Sequence, residues 1–116
     1  MGKTMHTIIK DLSYNAKNKN SKPVPRIWLD AKELKAFDVK KGDRFDKIIS
    51  NGIVVIRFNS EGKRKVSGTD TRPVIDINGA FLEPFFKGAT QYKATFIRAN
   101  ETQYSNTNDI TIQKVA

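Results

Sequence analysis

Residues 24–29 read VPRIWL, and residues 72–77 read RPVIDI. At an offset of 48 positions, the prolines coincide, and so do the two apolar residues that follow at alternate positions. Alternation of this kind predicts a strand with one buried face. The match continues outward, because Leu34 meets Leu82 in the short helix predicted after each strand. The sequence therefore predicts two copies of one unit. An internal repeat of this kind bears on the architecture of the whole chain.

The first copy is predicted to run from a strand through a short helix to a β-hairpin. Asp30 followed by Glu33 has the pattern of a capping box, which predicts that a helix follows Asp30. Asn51-Gly52 between two apolar runs is the strongest hairpin signal in the chain, and it predicts strands at 45–49 and 53–58.

The second copy repeats this order with weaker signals. Asn78 takes the place of Asp30 and predicts an N-cap. Strands are expected at 92–98 and 109–115, joined by a longer loop. Because one copy holds few inward apolar residues, we expect the two copies to share one core and form one domain.

Around these copies lie two polar, basic segments. The segment before Pro23 has too little apolar content to order itself, which predicts an arm. Ile8 and Leu12 leave open an edge strand or packing against a partner. The predicted organisation is a flexible basic arm at 1–22, a first repeat at 23–58, a basic linker or ribbon tip at 59–71 and a second repeat at 72–116.

Composition limits the function classes. The 116 residues include 21 Lys and Arg against 12 Asp and Glu, a net charge of +9, and the excess lies within residues 1–65. A charge of this size predicts affinity for polyanions. The chain has no cysteine, which excludes disulfides, Cys-based metal sites and thiol catalysis. Its single histidine, His6, argues against a serine–histidine triad and a two-histidine metal site, and we expect no bound metal. No nucleophile–base pair or phosphate-binding loop is evident, so we expect neither an enzyme nor a cofactor.

The motifs of both copies resemble the SpoVT/AbrB swapped-hairpin superfamily, which includes AbrB-type regulators, MazE-type antitoxins and SymE-like proteins. The first copy carries the pattern in Ile27-x-Leu29, in FDVKKGDRF at 37–45 and in the return strand at 53–56. The second carries INGAFLE at 77–83. The resemblance implies a mainly β fold with short helices, a swapped-hairpin AbrB-like β-barrel built by two tandem strand–helix–strand–strand repeats. Such a chain would be a monomeric pseudo-dimer or a homodimer.

The resemblance and the charge together predict a DNA-binding protein, either a transcriptional regulator or an antitoxin-type repressor. The arm and first repeat would bind duplex DNA, favoured over RNA. Two alternatives stay open: a SymE-like RNA-acting toxin, and an interaction module that binds a protein partner through the second repeat. No apolar run reaches the ~20 residues of a membrane span. We therefore expect a cytoplasmic protein, nucleoid-associated if it binds DNA, with no membrane partner.

The candidate contacts to nucleic acid are the basic residues of the first half together with one tryptophan. Arginine suits phosphate and guanine because its guanidinium can donate two parallel hydrogen bonds. Each basic candidate could equally be a solvated charge, and Trp28 could be covered by the arm or by the second hairpin. Phe81, Phe85 and Phe86 are expected in the core, or otherwise in a docking patch. The candidates are Lys17, Lys19, Lys22, Arg26, Trp28, Arg44, Lys63, Arg64, Lys65 and Arg72.

Overall fold

The computed structural model describes residues 5–15, 23–98 and 108–115, and this part of the chain is mainly β with short helices, as predicted. Ten strands, two α-helices and one 3-10 turn follow one another in these described residues. The strands are β1 Met5–Asp11, β2 Ser13–Asn15, β3 Val24–Leu29, β4 Arg44–Ser50, β5 Ile53–Phe58, β6 Arg64–Lys65, β7 Ser67–Gly68, β8 Pro73–Asn78, β9 Gln91–Ile97 and β10 Asp109–Val115; the helices are α1 Ala31–Ala36 and α2 Glu83–Phe86, the latter preceded by the 3-10 turn Ala80–Leu82.

The strands form two sheets. The larger sheet has the order β1-β9-β10-β5-β4-β6, and the smaller has the order β2-β3-β8-β7. Among the described residues these strands do not close into a barrel, so the expected closed β-barrel is wrong. The physical reason is that β1 and β6 lie at opposite edges of the larger sheet and do not pair with each other.

Both polar segments contribute strands. β1 pairs with β9 from Met5↔Ile97 to Asp11↔Gln91, which is the edge-strand alternative for the arm. The chain then crosses to the smaller sheet, where β2 pairs with β3. The predicted linker also contributes strands: β6 pairs with β4, and β7 pairs with β8. A polar segment can order here because its main chain pairs with a strand that is already covered on its other side. The rest of the arm, residues 16–22, lies outside the described residues.

The pairing of the two halves is symmetric. β3 and β8 pair antiparallel about Trp28↔Asp76, and β5 and β10 pair antiparallel with Val55↔Thr111 in their register. The strand that precedes each repeat pairs with the hairpin of the other repeat: β1, from the arm, pairs with β9, and β6, from the linker, pairs with β4. The two repeats are therefore joined within both sheets.

One core lies between the sheets and draws on both halves. The aligned positions are buried in pairs: Ile27 with Ile75, and Leu34 with Leu82, each at most 1% exposed. Burying a side chain of this size stabilises a fold by roughly 1.5–3 kcal/mol, so these positions account for much of its stability. The offset of 48 thus correctly identified the inward faces of β3 and β8 and the inward leucines of the helical segments.

The two helical segments begin differently. The predicted capping box is present in α1, where the Asp30 carboxylate accepts from Lys32 N over 3.1 Å and Glu33 accepts from Asp30 N over 2.9 Å. In the second half, the predicted cap at Asn78 is wrong. Gly79 occupies the N-cap position with φ 153°, a conformation that favours glycine, and no side chain caps the turn. Asn78 instead donates to Asp76 over 3.1 Å.

The buried hydroxyl of Tyr92 ties β9 to β3. It accepts from Trp28 N over 3.1 Å and donates to the Trp28 carbonyl over 3.2 Å. Burial raises the pKa of Tyr92 to about 12, although the hydrogen bond with the Trp28 backbone acts in the opposite direction. The protonated phenol is thus the form that the fold stabilises.

We expect Tyr92→Phe to lower the free energy of unfolding by about 1–2 kcal/mol, because it removes both bonds to a buried backbone. Since the folded pKa exceeds the unfolded value of about 10, this contribution is complete below pH ~10 and is lost as the pH approaches ~12. Urea unfolding of both proteins across this range measures it. Tyr14→Phe, at a side chain 57% exposed, is the control and should change little. Equal stability of Tyr92→Phe and wild type at neutral pH would contradict the assignment.

Candidate nucleic-acid interface

Two basic stretches that are separate in sequence meet at the β6 end of the larger sheet. Gly42 N donates to the Val66 carbonyl over 2.9 Å, and Val66 N donates to the Asp43 carbonyl over 2.8 Å. Gly42 makes this turn with φ 89°, which lies in the left-handed region that favours glycine. These bonds prolong the β4–β6 pairing. We define the basic edge by the exposed cations that they bring together, which are Lys40, Lys41, Arg44, Lys63 and Lys65.

None of these cations forms an ion pair with another described residue. Arg44 and Lys65 are directly opposite in the β4–β6 register, so their side chains share one face of the ribbon. Like charges in this position repel each other. Arg44 also donates to the Gly62 carbonyl over 3.1 Å, which anchors one end of its guanidinium.

The acidic side chains at the basic edge bind the backbone. Asp43 accepts from Lys40 N over 2.8 Å. Asp46 accepts from the side chain of Asn59 over 2.8 Å and from Lys63 N over 3.1 Å. These two bonds, the first above all, lower the pKa of Asp46. The carboxylates therefore fix the turn and the ribbon, and they offset the five cations only in part.

Arg64 lies on the opposite face of the same ribbon. It is paired with Phe45, and side chains on one strand alternate between faces, so Arg64 is on the side of Lys47. Lys47 Nζ lies 3.8 Å from the centroid of the Phe81 ring. Burial lowers the pKa of Lys47, and the charge of Arg64 lowers it further. The candidates of the 63–65 cluster thus divide between two faces.

Arg26 and Trp28 occupy the outer face of β3 in the smaller sheet, whereas the basic edge belongs to the larger sheet. Arg26 forms two parallel hydrogen bonds with the Asp76 carboxylate, of 2.9 and 2.8 Å. Its guanidinium also lies 4.3 Å from the centre of the Trp28 ring. Arginine is thereby neutralised and stacked within the protein. The ring of Trp28 points away from the core, as alternation predicted, and it is Arg26 that packs on it.

The remaining candidates are dispersed. Arg72 is exposed in the bend before β8, where its backbone N–H donates to Thr69 Oγ1 over 3.1 Å. Its aligned position in the first repeat is Val24, two residues before Arg26. Lys17, Lys19 and Lys22 lie outside the described residues.

Lys40 and Lys41 belong to the basic edge but are not among the nucleic-acid contacts that the sequence predicted. The signal would have been the β4–β6 pairing, which spans only Arg44↔Lys65 and Phe45↔Arg64. A ladder this short leaves no periodic pattern to detect.

Two other kinds of site were sought in the described part of the chain. No group of three or more His, Cys, Asp or Glu side chains there could hold a metal ion. No described helix is long and apolar enough to cross a membrane.

We expect a double-mutant cycle of Arg26→Ala and Asp76→Ala to give a coupling energy of about 1 kcal/mol, because the pair is bidentate and both side chains are less than one-third exposed. Burial acts to raise the pKa of Asp76, but hydrogen bonds from Arg26 and Asn78 outweigh it and lower the pKa. This contribution is therefore present above pH ~4 and is lost as the pH falls further.

Chemical denaturation at neutral and acidic pH measures this coupling. The exposed pair Arg98–Asp38, treated with the same alanine substitutions, is the matched control and should couple by less than about 0.5 kcal/mol. A coupling between Arg26 and Asp76 as small as the control's would show that the arginine is available for other partners.

Comparison of the chain with protein-family models, with curated proteins and with solved structures finds no match. The most distinctive feature of the described surface is the basic edge, where backbone hydrogen bonds bring five exposed cations together.

Proposed function

We propose that the protein binds nucleic acid through the basic edge, with duplex DNA as the preferred partner. The observation that carries the proposal is the juxtaposition of the 40–44 turn with the 63–65 ribbon by hydrogen bonds of 2.8–2.9 Å. A solvated-loop explanation accounts for each cation singly. It does not account for a backbone arrangement that collects cations from both segments while the nearby carboxylates bind the main chain.

The pair formed by Arg44 and Lys65 supports a phosphate ligand. Two cations directly opposite on paired strands raise the energy of the free protein. A phosphate between them removes this repulsion and accepts hydrogen bonds from both, so binding recovers what the fold loses there. Arg44 keeps donors for this purpose because only Nη1 is engaged by Gly62.

The symmetric strand pairing supports a broader part of the proposal. We infer that the chain arose by internal duplication and has a swapped-hairpin, AbrB-like architecture in which one chain serves as a pseudo-dimer. The pairing of the strand that precedes each repeat with the hairpin of the other repeat is the feature that favours it. In this proposal the protein acts as a transcriptional regulator or an antitoxin-type repressor. An RNA-acting toxin of the same fold would use the same cations and is separated by the experiment below.

We expect the protein to bind duplex DNA at about 50 mM salt, with log K falling linearly against log salt as counterions are released. Lys41→Glu, Lys63→Glu and Lys65→Glu combined should reduce the slope by about 2–3 and weaken binding at least about tenfold, since each contact contributes about 0.9 to the slope. Fluorescence anisotropy with duplex DNA, single-stranded DNA and RNA of equal length measures both quantities.

The control changes the same net charge elsewhere: Lys32→Glu, Lys87→Glu and Lys93→Glu, three lysines away from the basic edge. This control should retain most of the slope. Equal losses in both triple variants would show that net charge alone drives binding, and absence of binding at low salt would refute the proposal. Tighter binding of RNA than of duplex DNA would transfer the proposal to the RNA-acting alternative.

A further inference from the structure

The symmetry of the two halves exposes a strand position that is filled in one half and open in the other. β9 is flanked by β1 along its whole length, from Gln91 to Ile97. Its counterpart β4 is flanked by β6 only at Arg44 and Phe45. Among the described residues, no strand pairs with this edge of β4 over 46–50. We call this stretch the open edge.

The end of β6 is fixed by side chains. The Asp46 carboxylate accepts from Lys63 N and from Asn59 Nδ2, so the Lys63 N–H bonds to a β4 side chain and not to the β4 main chain. Gly62 N donates to the Asn59 carbonyl over 3.1 Å and completes the turn. A Cβ at Gly62 would lie 2.5 Å from Phe45 N, so only glycine allows the chain to pass this close to the β4 backbone. The open edge is therefore held open by a specific arrangement.

The open edge presents backbone groups in the phase needed for strand addition. The Asp43 carbonyl accepts from Val66 on the β6 side, whereas the Arg44 carbonyl accepts from Asn59 on the β5 side. Main-chain groups alternate in direction along a strand. The N–H and C=O groups of Lys47 and Ile49 consequently face the open edge. An extended segment placed there would continue the ladder.

The side chains beside the open edge are apolar and cationic. Ile49 is 51% exposed and Phe81 is 40% exposed, whereas Phe96, the counterpart of Ile49, is 2% exposed. Lys47 lies over Phe81, close enough to Arg64 for their charges to repel. Neither Lys47 nor Arg64 forms an ion pair with a described residue.

The other half shows what is lacking at this point. Phe45 and Tyr92 are equivalent, because each is the second residue of its strand and is buried. Lys10 pairs with Tyr92 as Arg64 pairs with Phe45, so Lys10 and Arg64 are equivalent as well. Lys10 is neutralised by Glu33 at 3.0 Å. The residue aligned with Glu33 is Phe81. The first half of the sheet thus lacks both the flanking strand and the carboxylate that its counterpart has.

We propose that the open edge binds an extended acidic segment of a partner protein, which adds antiparallel to β4. A carboxylate of the segment would lie between Lys47 and Arg64, and an apolar side chain would pack on Ile49 and Phe81. Side chains that share a face are two residues apart, so the recognised pattern is apolar–any–acidic. Strand addition gives affinity through the main chain and specificity through alternate side chains.

The charge and the geometry favour this occupant over others. A second copy of the chain would bring a further net charge of +9 to a site that already holds two cations. A nucleic acid could neutralise those cations but has no strand backbone to pair with Lys47 and Ile49. An acidic peptide satisfies both the charges and the open backbone groups.

Nuclear magnetic resonance on the full chain tests the proposal with a blocked peptide, Thr-Ile-Thr-Glu-Thr-Ser. We expect the amides of Lys47 and Ile49 to exchange rapidly in the free protein and at least about tenfold more slowly with saturating peptide. N-methylation of the peptide's Ile and Glu keeps its charge but removes both donors that face β4. It should weaken binding about tenfold.

A protein variant tests the charge. Lys47→Glu should weaken peptide binding at least about fivefold, because it places two carboxylates together. Lys93→Glu, the same charge change on the outer face of β9, should leave peptide binding unchanged. If Lys47→Glu folds poorly, the N-methylated peptide still tests the proposal, because its binding is measured with the wild-type protein.

Three results would overturn the proposal. The first is equal binding of the N-methylated and unmodified peptides. The second is protection of the Lys47 and Ile49 amides in the free protein equal to that of Ala94 and Phe96, which β1 covers. The third is protection by a duplex DNA oligonucleotide but not by the peptide, which would assign the open edge to nucleic acid. None of these results bears on the basic edge, which is tested separately by the substitutions at Lys41, Lys63 and Lys65.

Discussion

The antiparallel pairing of β3 with β8 is the constraint on which the rest of the structure depends. Its register places Ile27 opposite Ile77 and Leu29 opposite Ile75, and all four side chains are at most 1% exposed. Neither strand can bury its inward face alone, so each half needs the other to form a core. A shift of one residue would turn all these side chains to solvent, which makes the register cooperative with the packing.

The same register determines which charges remain available. With Trp28 opposite Asp76, the side chain of Arg26 reaches the Asp76 carboxylate and stacks on the indole. An arginine that appears free in the sequence is therefore committed to the fold. At the other end of the molecule, the β4–β6 register places Arg44 opposite Lys65, with no carboxylate between them among the described residues. Pairing of strands thus decides whether a cation stabilises the protein or is free to bind a ligand.

Local signals in the sequence predicted local structure well. The alternation at Ile27 and Leu29, the capping box at Asp30 and the Asn51-Gly52 turn are all observed. Each of these depends on residues a few positions apart. The extent of the strand at 5–11 and the place of Lys40 in the basic edge could not be predicted in this way, because both depend on main-chain pairing with segments that are distant in sequence.

The two halves share their pairing but differ in side chains at equivalent positions, and three of these differences lie beside the open edge. Tyr92 corresponds to Phe45, Phe96 to Ile49, and Glu33 to Phe81. Where the second hairpin is flanked, buried and neutralised, the first is open, apolar and cationic. Because the truncated strand and the absent carboxylate occur at the same edge of β4, a single ligand compensates for both, and this coincidence favours a binding role for the edge.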